Sequence, residues 1–421
     1  MGAAWALDQH HEVTLFESRN RLGGHSNTVE VSLPTGSIPV DTGFIVYNEV
    51  TYPHLTRLFA TLGVATEDSD MSFSFSVGGG MEYGATARGL VAQPGNLLRR
   101  RYRRMVADIL RFKRIGVRLL DTADGQTIGE LLERNEFSEG FIDDYLLPMT
   151  GAIWSTGNGD IRSFPADTML RFLANHGLIQ IVGRPQWRTV TGGSREYIRR
   201  LTASLDDIRV DSPVDHVERS GHEVIVRSRH GAESFDHVVI AAHTDQAIRM
   251  LGTGATPEER YALGSIPYAS NRAVLHSDPN LMPDRRAVWS SWNAIADSAR
   301  HNQRMASVTY WMNRLQNLET STPLFVSLNP TREPDPSLVH GSFDYAHPQF
   351  GPTSTEAQEA ISAIQGRNRT WFAGAYCGYG FHEDGLQAGF NVAAALGSPP
   401  PWFDSVVPMS SSLPPSVSVT S

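Results

Sequence analysis

Glu17 ends a short apolar run, Val13-Thr14-Leu15-Phe16, and is followed by Arg21 and the pair Gly23-Gly24. An acidic side chain at the end of a strand accepts hydrogen bonds from an adenosine ribose, and glycines let the backbone pass close to a dinucleotide. The chemistry these residues suit is cofactor binding, although a solvated strand end and a Gly-Gly turn would use the same residue types. A second segment, from Thr370 to Gly389, runs from a strand ending near Gly374-Ala375 through a glycine-rich loop into Glu383-Asp384-Gly385-Leu386 at the start of a small-residue helix. A helix N-terminus placed there can aim backbone N–H groups at an anion. His25, His176, His243 and His382 adjoin the motifs. They fall in four separate segments without a close ligand pair, so a metal site ranks low.

The elements that must carry these residues follow from pattern. Met1 to Asp8 is small and apolar, which suits a helix packed tightly on a sheet, and the strand ending at Glu17 comes next. The chain thus opens inside a βαβ unit, whose Gly-x-Gly-x-x-Gly loop belongs immediately before that helix. The expectation is a start assigned too late or a fragment; the alternative is a short form without the phosphate loop. Val40 to Tyr47 reads as a strand entering a turn at Asp41-Thr42-Gly43. Leu55, Leu58, Phe59 and Leu62 recur at helical spacing, and Phe73, Phe75 and Val77 alternate into a glycine hairpin.

Residues 96–120 read as a long helix bearing Arg99, Arg100, Arg101, Arg103, Arg104, Arg111, Lys113, Arg114 and Arg118. Two readings of it stand: the solvated face of a core-packed helix, and an amphipathic element resting on anionic lipid. Gly192-Gly193-Ser194, before a helix near Tyr197, is a cap or an anion site. Residues 207–243 give four short strands, a β-meander. The aromatic-rich stretches 148–201 and 266–345 read as core and pocket wall together. From Ser398 the chain is rich in Pro, Ser and Val and is expected to be disordered.

The chain has 421 residues, 40 % hydrophobic and 19 % charged, enough for two domains. Its net charge of −9 argues against general nucleic-acid binding. Cys377 is the sole cysteine, which excludes an intramolecular disulfide and a Cys-based metal site. The apolar runs are too short to span a bilayer and the N-terminus does not read as a signal peptide, so the cytoplasm is the expected location, with a contact at the inner membrane face if Arg99 to Arg118 meet lipid.

The pattern Glu-x-x-x-Arg-x-Gly-Gly at 17–24 stands with Asp41-Thr42-Gly43-Phe44, Asn175-His176-Gly177-Leu178, Thr309-Tyr310-Trp311-Met312 and Gly380-Phe381-His382-Glu383-Asp384-Gly385. Together they resemble the flavin-containing amine oxidase and phytoene desaturase-like superfamily. Within it they resemble a bacterial subgroup of FAD-dependent oxidoreductases associated with cyclopropane fatty-acid synthase-like enzymes. The resemblance spans residues 1–397 and implies an α/β fold. Its FAD-binding Rossmann-like domain, of glutathione-reductase type but lacking the first strand and Gly-x-Gly-x-x-Gly, would be assembled from 1–50, 190–255 and 366–397. An interleaved α+β substrate domain would be assembled from 51–189 and 256–365, leaving 398–421 as the disordered tail.

The same resemblance implies non-covalent FAD. Glu17 would meet the ribose, Arg21, Gly23, Gly24, Gly374 and Ala375 the pyrophosphate, Gly43 the flavin, and Val214 the adenine. Glu383, Asp384, Gly385 and Leu386 would meet the pyrophosphate or the flavin edge. His382 is then the candidate for chemistry, with a structural hydrogen bond an equal account of it, and His176 and Tyr310 are further pocket candidates. Many amine oxidases of this superfamily hold a water near the flavin N5 with a buried lysine. Lys113, the sole lysine, lies in Arg111-Phe112-Lys113-Arg114 and reads as part of a solvated helix. The expected activity is hydride transfer from an apolar, lipid-like or fatty-acyl substrate to flavin N5. The alternative is a non-catalytic flavin-binding partner of a cyclopropane fatty-acid synthase-like enzyme.

Overall fold

The computed structural model describes residues 1–77, 80–123, 125–154, 162–175, 179, 185–296, 307–351 and 353–406. Helix α1 (Gly2–Leu7) consists largely of small residues because it lies close against the helix His382–Ala395. A side chain on Gly389 would stand 3.1 Å from the Ala3 nitrogen, and one on Gly2 would stand 2.5 Å from Leu386. The chain then enters β1 (Thr14–Phe16), which pairs in parallel with Asp207–Arg209, while Val238–Ile240 pairs in parallel with Thr370–Phe372. These parallel pairs and their packed helices are the Rossmann-like part of an α/β fold.

The strands between 207 and 243 do not form one meander. Val214–Arg219, Val224–Ser228 and Gly231–Phe235 make an antiparallel sheet, and the flanking strands leave it for the parallel pairs. Parallel partners lie far apart in sequence, so local alternation cannot reveal them.

After the Gly23-Gly24 loop, β2 (Thr28–Leu33) and β3 (Gly36–Asp41) form an antiparallel ribbon. Helix α2 (Pro53–Leu62) buries Leu55, Leu58 and Phe59 along one face. The largest sheet has seven strands, in the order Val339–Pro348, Tyr268–His276, Phe325–Leu328, Ser307–Trp311, Trp292–Ala296, Phe73–Val77 and Glu82–Gly84. Its pairs are antiparallel except for Trp292–Ala296 with Phe73–Val77. Against the Phe73 end packs a helical layer that includes α3 (Ala87–Val91), α4 (Arg100–Leu119) and Ala166–Asn175, sharing one core with Phe75 and Tyr83.

Residues 398–406 are not the start of a disordered tail. Ser398 is buried and its hydroxyl donates to the Ala6 carbonyl at 2.5 Å, while Trp402 stacks on Trp5 with ring centroids 5.8 Å apart. Two aromatic side chains, Trp402 and Phe403, cover α1 and Phe390, and that apolar contact outweighs the Pro-rich composition. Residues 407–421 and His176 lie outside the described residues. Among the described residues no helix is long and apolar enough to cross a membrane.

Candidate active site

Gly23 and Gly24 both have positive φ, +113° and +58°, for different reasons. A side chain on Gly23 would lie 2.3 Å from the Ser26 carbonyl oxygen, whereas one on Gly24 would meet nothing within 4 Å. The loop therefore closes on itself at Gly23 and presents bare backbone to open space at Gly24. Arg21 folds over this loop rather than away from it: its guanidinium donates to the Gly24 carbonyl at 2.9 Å and to the Leu22 and Ser26 carbonyls at 3.4 Å. Burial draws its pKa below the ordinary arginine value.

Glu17 stands at the end of β1, its amide donating to the Arg209 carbonyl at 2.9 Å. One carboxylate oxygen accepts from the Arg19 amide at 2.8 Å and the Ser18 hydroxyl at 3.2 Å; among the described residues no hydrogen bond reaches the other, which suits a ribose. The Asp211 and Ser212 amides donate to the Arg19 and Glu17 carbonyls at 2.8 Å, which brings Val214 beside the same strand end.

Gly43 serves the protein's own packing. A side chain there would stand 2.1 Å from the His25 carbonyl oxygen, so glycine lets the chain after β3 cross the His25 loop and deliver Phe44 to His382. Asp41 accepts from the Thr28 hydroxyl at 2.6 Å, the Ser194 amide at 3.0 Å, the Ser194 hydroxyl at 2.8 Å and the Gln316 amide at 2.9 Å. The Gly-Gly-Ser element is thus held by a protein carboxylate. Burial raises the Asp41 pKa to about 6 in spite of those hydrogen bonds.

In the C-terminal segment the acidic side chains are engaged within the protein. Glu383 accepts from the His54 and Leu55 amides at 2.7 and 3.0 Å and so caps α2. Asp384 accepts from the Phe381 amide at 2.8 Å and caps its own helix. Burial pushes Glu383 up to about 8 and Asp384 up to about 7. Leu386 packs toward Gly2, and a side chain on Gly385 would sit 3.4 Å from the Ala375 nitrogen. A side chain on Gly374 would lie 2.3 Å from the Tyr376 ring. What this segment can offer a cofactor is its backbone and the N–H groups of its first helical turn.

Around the loop, distant segments converge. The His25 ring lies 5.0 Å from each of Tyr345 and His347 and 6.4 Å from His243. His382 stacks on Phe44 at 4.1 Å and shares a 2.7 Å hydrogen bond through Nε2 with the Tyr197 hydroxyl, which shares one of 2.5 Å with Ser26. Tyr345 is held by Asn27 at 3.0 Å and Thr42 at 2.7 Å, and His347 Nδ1 lies 2.8 Å from the Asn271 amide nitrogen. Burial holds His25 down to about 3, helped by the neighbouring imidazoles, and holds His347 and His382 down to about 4. At neutral pH these rings carry no charge. Among the described residues no three His, Cys, Asp or Glu side chains stand together as a metal site.

Tyr197, Tyr345 and His347 were not singled out by sequence reasoning. The i, i+2 spacing of Tyr345 and His347, which puts them on one face of a strand, was the available signal; Tyr197 had none. Tyr310 lies on the same seven-stranded sheet as Tyr345 and His347, edge-on to Trp292 at 4.9 Å. Among the described residues no hydrogen bond joins it to His382.

Open space at Gly24, an available oxygen on Glu17, a helix start beside them and an uncharged ring wall suit a flavin dinucleotide better than a nucleotide alone. The fold and site define a dinucleotide-binding flavoprotein of the α/β class. The family model for flavin containing amine oxidoreductases matches residues 1–397, and the chain belongs to that family. It is an FAD-dependent oxidoreductase.

Solved structures of the same fold include a cyclohexylamine oxidase from Brevibacterium oxydans, at 18 % identity and TM-score 0.68, covering 94 % of this chain and 95 % of that one. A CLA-producing fatty acid isomerase from P. acnes shares 13 % identity at TM-score 0.65, covering 94 % and 96 %. A putative protoporphyrinogen oxidase from Exiguobacterium shares 15 % at TM-score 0.64, covering 94 % and 95 %. No protein of curated function matches the chain significantly.

Proposed function

We propose that this oxidoreductase takes hydride from an apolar, lipid-like substrate such as a fatty-acyl chain. The observation that carries this reading is the packing of rings around His25 and His382 beside Gly24. His25, Phe44, Tyr345, His347 and His382 are aromatic or imidazole rings, and burial keeps the imidazoles neutral. The carboxyl groups of Asp41, Glu383 and Asp384 accept from amides and hydroxyls of the protein, so among the described residues these three are not left to hold a cationic amine. The fold neighbours include an amine oxidase and a fatty acid isomerase, so fold by itself favours neither substrate class.

Bound FAD supplies the two-electron acceptor. Glu17 and the Gly24 backbone would hold its ribose and pyrophosphate, and the ring wall would exclude water and orient an apolar chain. His382 is tethered by Tyr197 and stacked on Phe44, which fixes the orientation of its neutral ring against the bound group. An apolar substrate partitions into bilayers, which fits a place at the cytoplasmic membrane face.

A second reading, a flavin-binding partner of a cyclopropane fatty-acid synthase-like enzyme without chemistry of its own, is favoured by the engagement of Asp41, Glu383 and Asp384 with protein donors and by the place of the sole lysine, Lys113, on helix α4. Anaerobic mixing of the FAD-loaded protein with fatty-acyl lipids and with primary amines separates the possibilities. Bleaching of the flavin band by lipids and not by amines is the expected result. Bleaching by amines alone refutes the apolar substrate, and inertness to both together with co-purification of a lipid-modifying enzyme supports the second reading.

A further inference from the structure

We infer that the surface carried by residues 91–118 docks on an anionic lipid bilayer. This surface is separate from the flavin site and does not depend on what the flavin oxidises. Helix α4 has two faces: Tyr102, Met105, Phe112 and Leu119 are buried in the helical core, while Arg100, Arg103, Arg104, Leu110, Arg114 and Arg118 recur at helical spacing on the exposed side. Arg101 and Arg111 turn back to the protein, Arg101 to Asp143 and Asp144 at 3.2 and 2.6 Å, and Arg111 to the Asn135 carbonyl at 2.7 Å. The acidic member of the helix, Asp108, accepts from the Ser138 amide at 3.0 Å. With Arg99, six exposed arginines remain, and among the described residues none of the six is paired with a carboxylate.

Apolar side chains stand among them. Of the seven exposed large hydrophobic residues among the described residues, four fall within 91–110: Val91, Leu97, Leu98 and Leu110. Leu98 is 83 % exposed, at the end of the turn Pro94–Leu98 that joins α3 to α4. Water-facing leucines beside unpaired arginines, on a chain of net charge −9, form a local cationic and apolar patch. An anionic bilayer complements both halves, taking leucines below the headgroups and arginines against the lipid phosphates. An acidic protein surface would meet the arginines but would not require the leucines.

The test is sedimentation of the full chain with phosphatidylcholine vesicles and with vesicles one-third phosphatidylglycerol, at low and high salt. Binding is expected to the anionic vesicles and to fall steeply with salt. Each arginine removed should lower partition about fivefold, so R99Q/R100Q/R103Q/R104Q should lose about two orders of magnitude or more. L97S/L98S should lose on the order of tenfold. R199Q/R249Q, which alters exposed arginines on other helices, should bind like the wild type. All of these positions are exposed, and far-UV circular dichroism checks that each variant is folded. Equal binding to neutral vesicles, indifference to salt, or unaltered binding of the Gln variant overturns the inference. Retention by soluble polyglutamate without retention by vesicles overturns it in favour of an acidic protein partner.

Discussion

Replacing Gly24 with alanine should separate cofactor binding from folding. At φ +58° an alanine is held in the left-handed region, which costs about 1–2 kcal/mol. Its β-carbon meets no protein atom within 4 Å, so nothing adds to that cost. The melting temperature of the FAD-free protein should fall by about 2–4 °C per kcal/mol or less. The same carbon, however, enters the open side of the loop, and intrusion of one carbon into a fitted contact costs about 1–3 kcal/mol. That corresponds to a loss of FAD affinity of roughly 5- to 150-fold. Gly43→Ala is the converse case: its β-carbon would stand 2.1 Å from the His25 carbonyl oxygen, a backbone atom that cannot swing away. It should destabilise the FAD-free protein by several kcal/mol. Differential scanning fluorimetry without FAD and fluorescence titration with it measure the two quantities. If Gly24→Ala binds FAD as tightly as the wild type, the open space at Gly24 is not the cofactor cradle and the reasoning fails.

Further outcomes follow from the buried groups. Glu383 keeps its proton to about pH 8 in the folded protein and only to about 4.5 when unfolded, so its contribution is full below pH 4.5 and declines as pH rises toward 8. Glu383→Gln should therefore gain stability relative to the wild type between pH 5 and 8.5, and parallel urea midpoints across that range would contradict the burial argument. His382 is neutral down to about pH 4 when folded and to about 6.5 when unfolded; the stability it gives above pH 6.5 is lost as pH falls toward 4, on the order of 3 kcal/mol. His382→Asn should flatten that acid limb, and an unchanged slope would place the loss in other groups. Tyr197→Phe removes the hydroxyl between Ser26 and His382 and should cost about 1–2 kcal/mol. It should also shift the imidazole nitrogen resonances of His382; unmoved resonances would show that the Tyr197 bond does not set the tautomer.

The features legible in the sequence are those whose physics is local. An acidic strand end, a glycine pair and a small-residue helix start are short stretches in which each residue type answers its own backbone or its immediate ligand, so a dinucleotide-binding α/β unit could be read from 17–24 and 370–389, while the family and the cofactor class came from the resemblance that these segments carry together with 41–44, 175–178 and 309–312. Helical spacing likewise showed α2 and α4, because 3.6-residue periodicity is set within the element.

Direction and convergence were decided by the tertiary structure. The resemblance places Glu383 beside the cofactor, but where its side chain goes is a tertiary matter: its carboxyl group meets amides of α2, more than 300 positions away. Asp41 and Ser194 bond across 153 positions, and Tyr345 and Thr42 across 303. Ser398 and Trp402 lie in a stretch whose composition suits disorder, yet α1 and Phe390 give them a surface to cover. Sequence supplies residue types and periods, which depend on near neighbours. Which buried donor meets which acceptor depends on how the packed segments cross, and that is set by the whole fold at once.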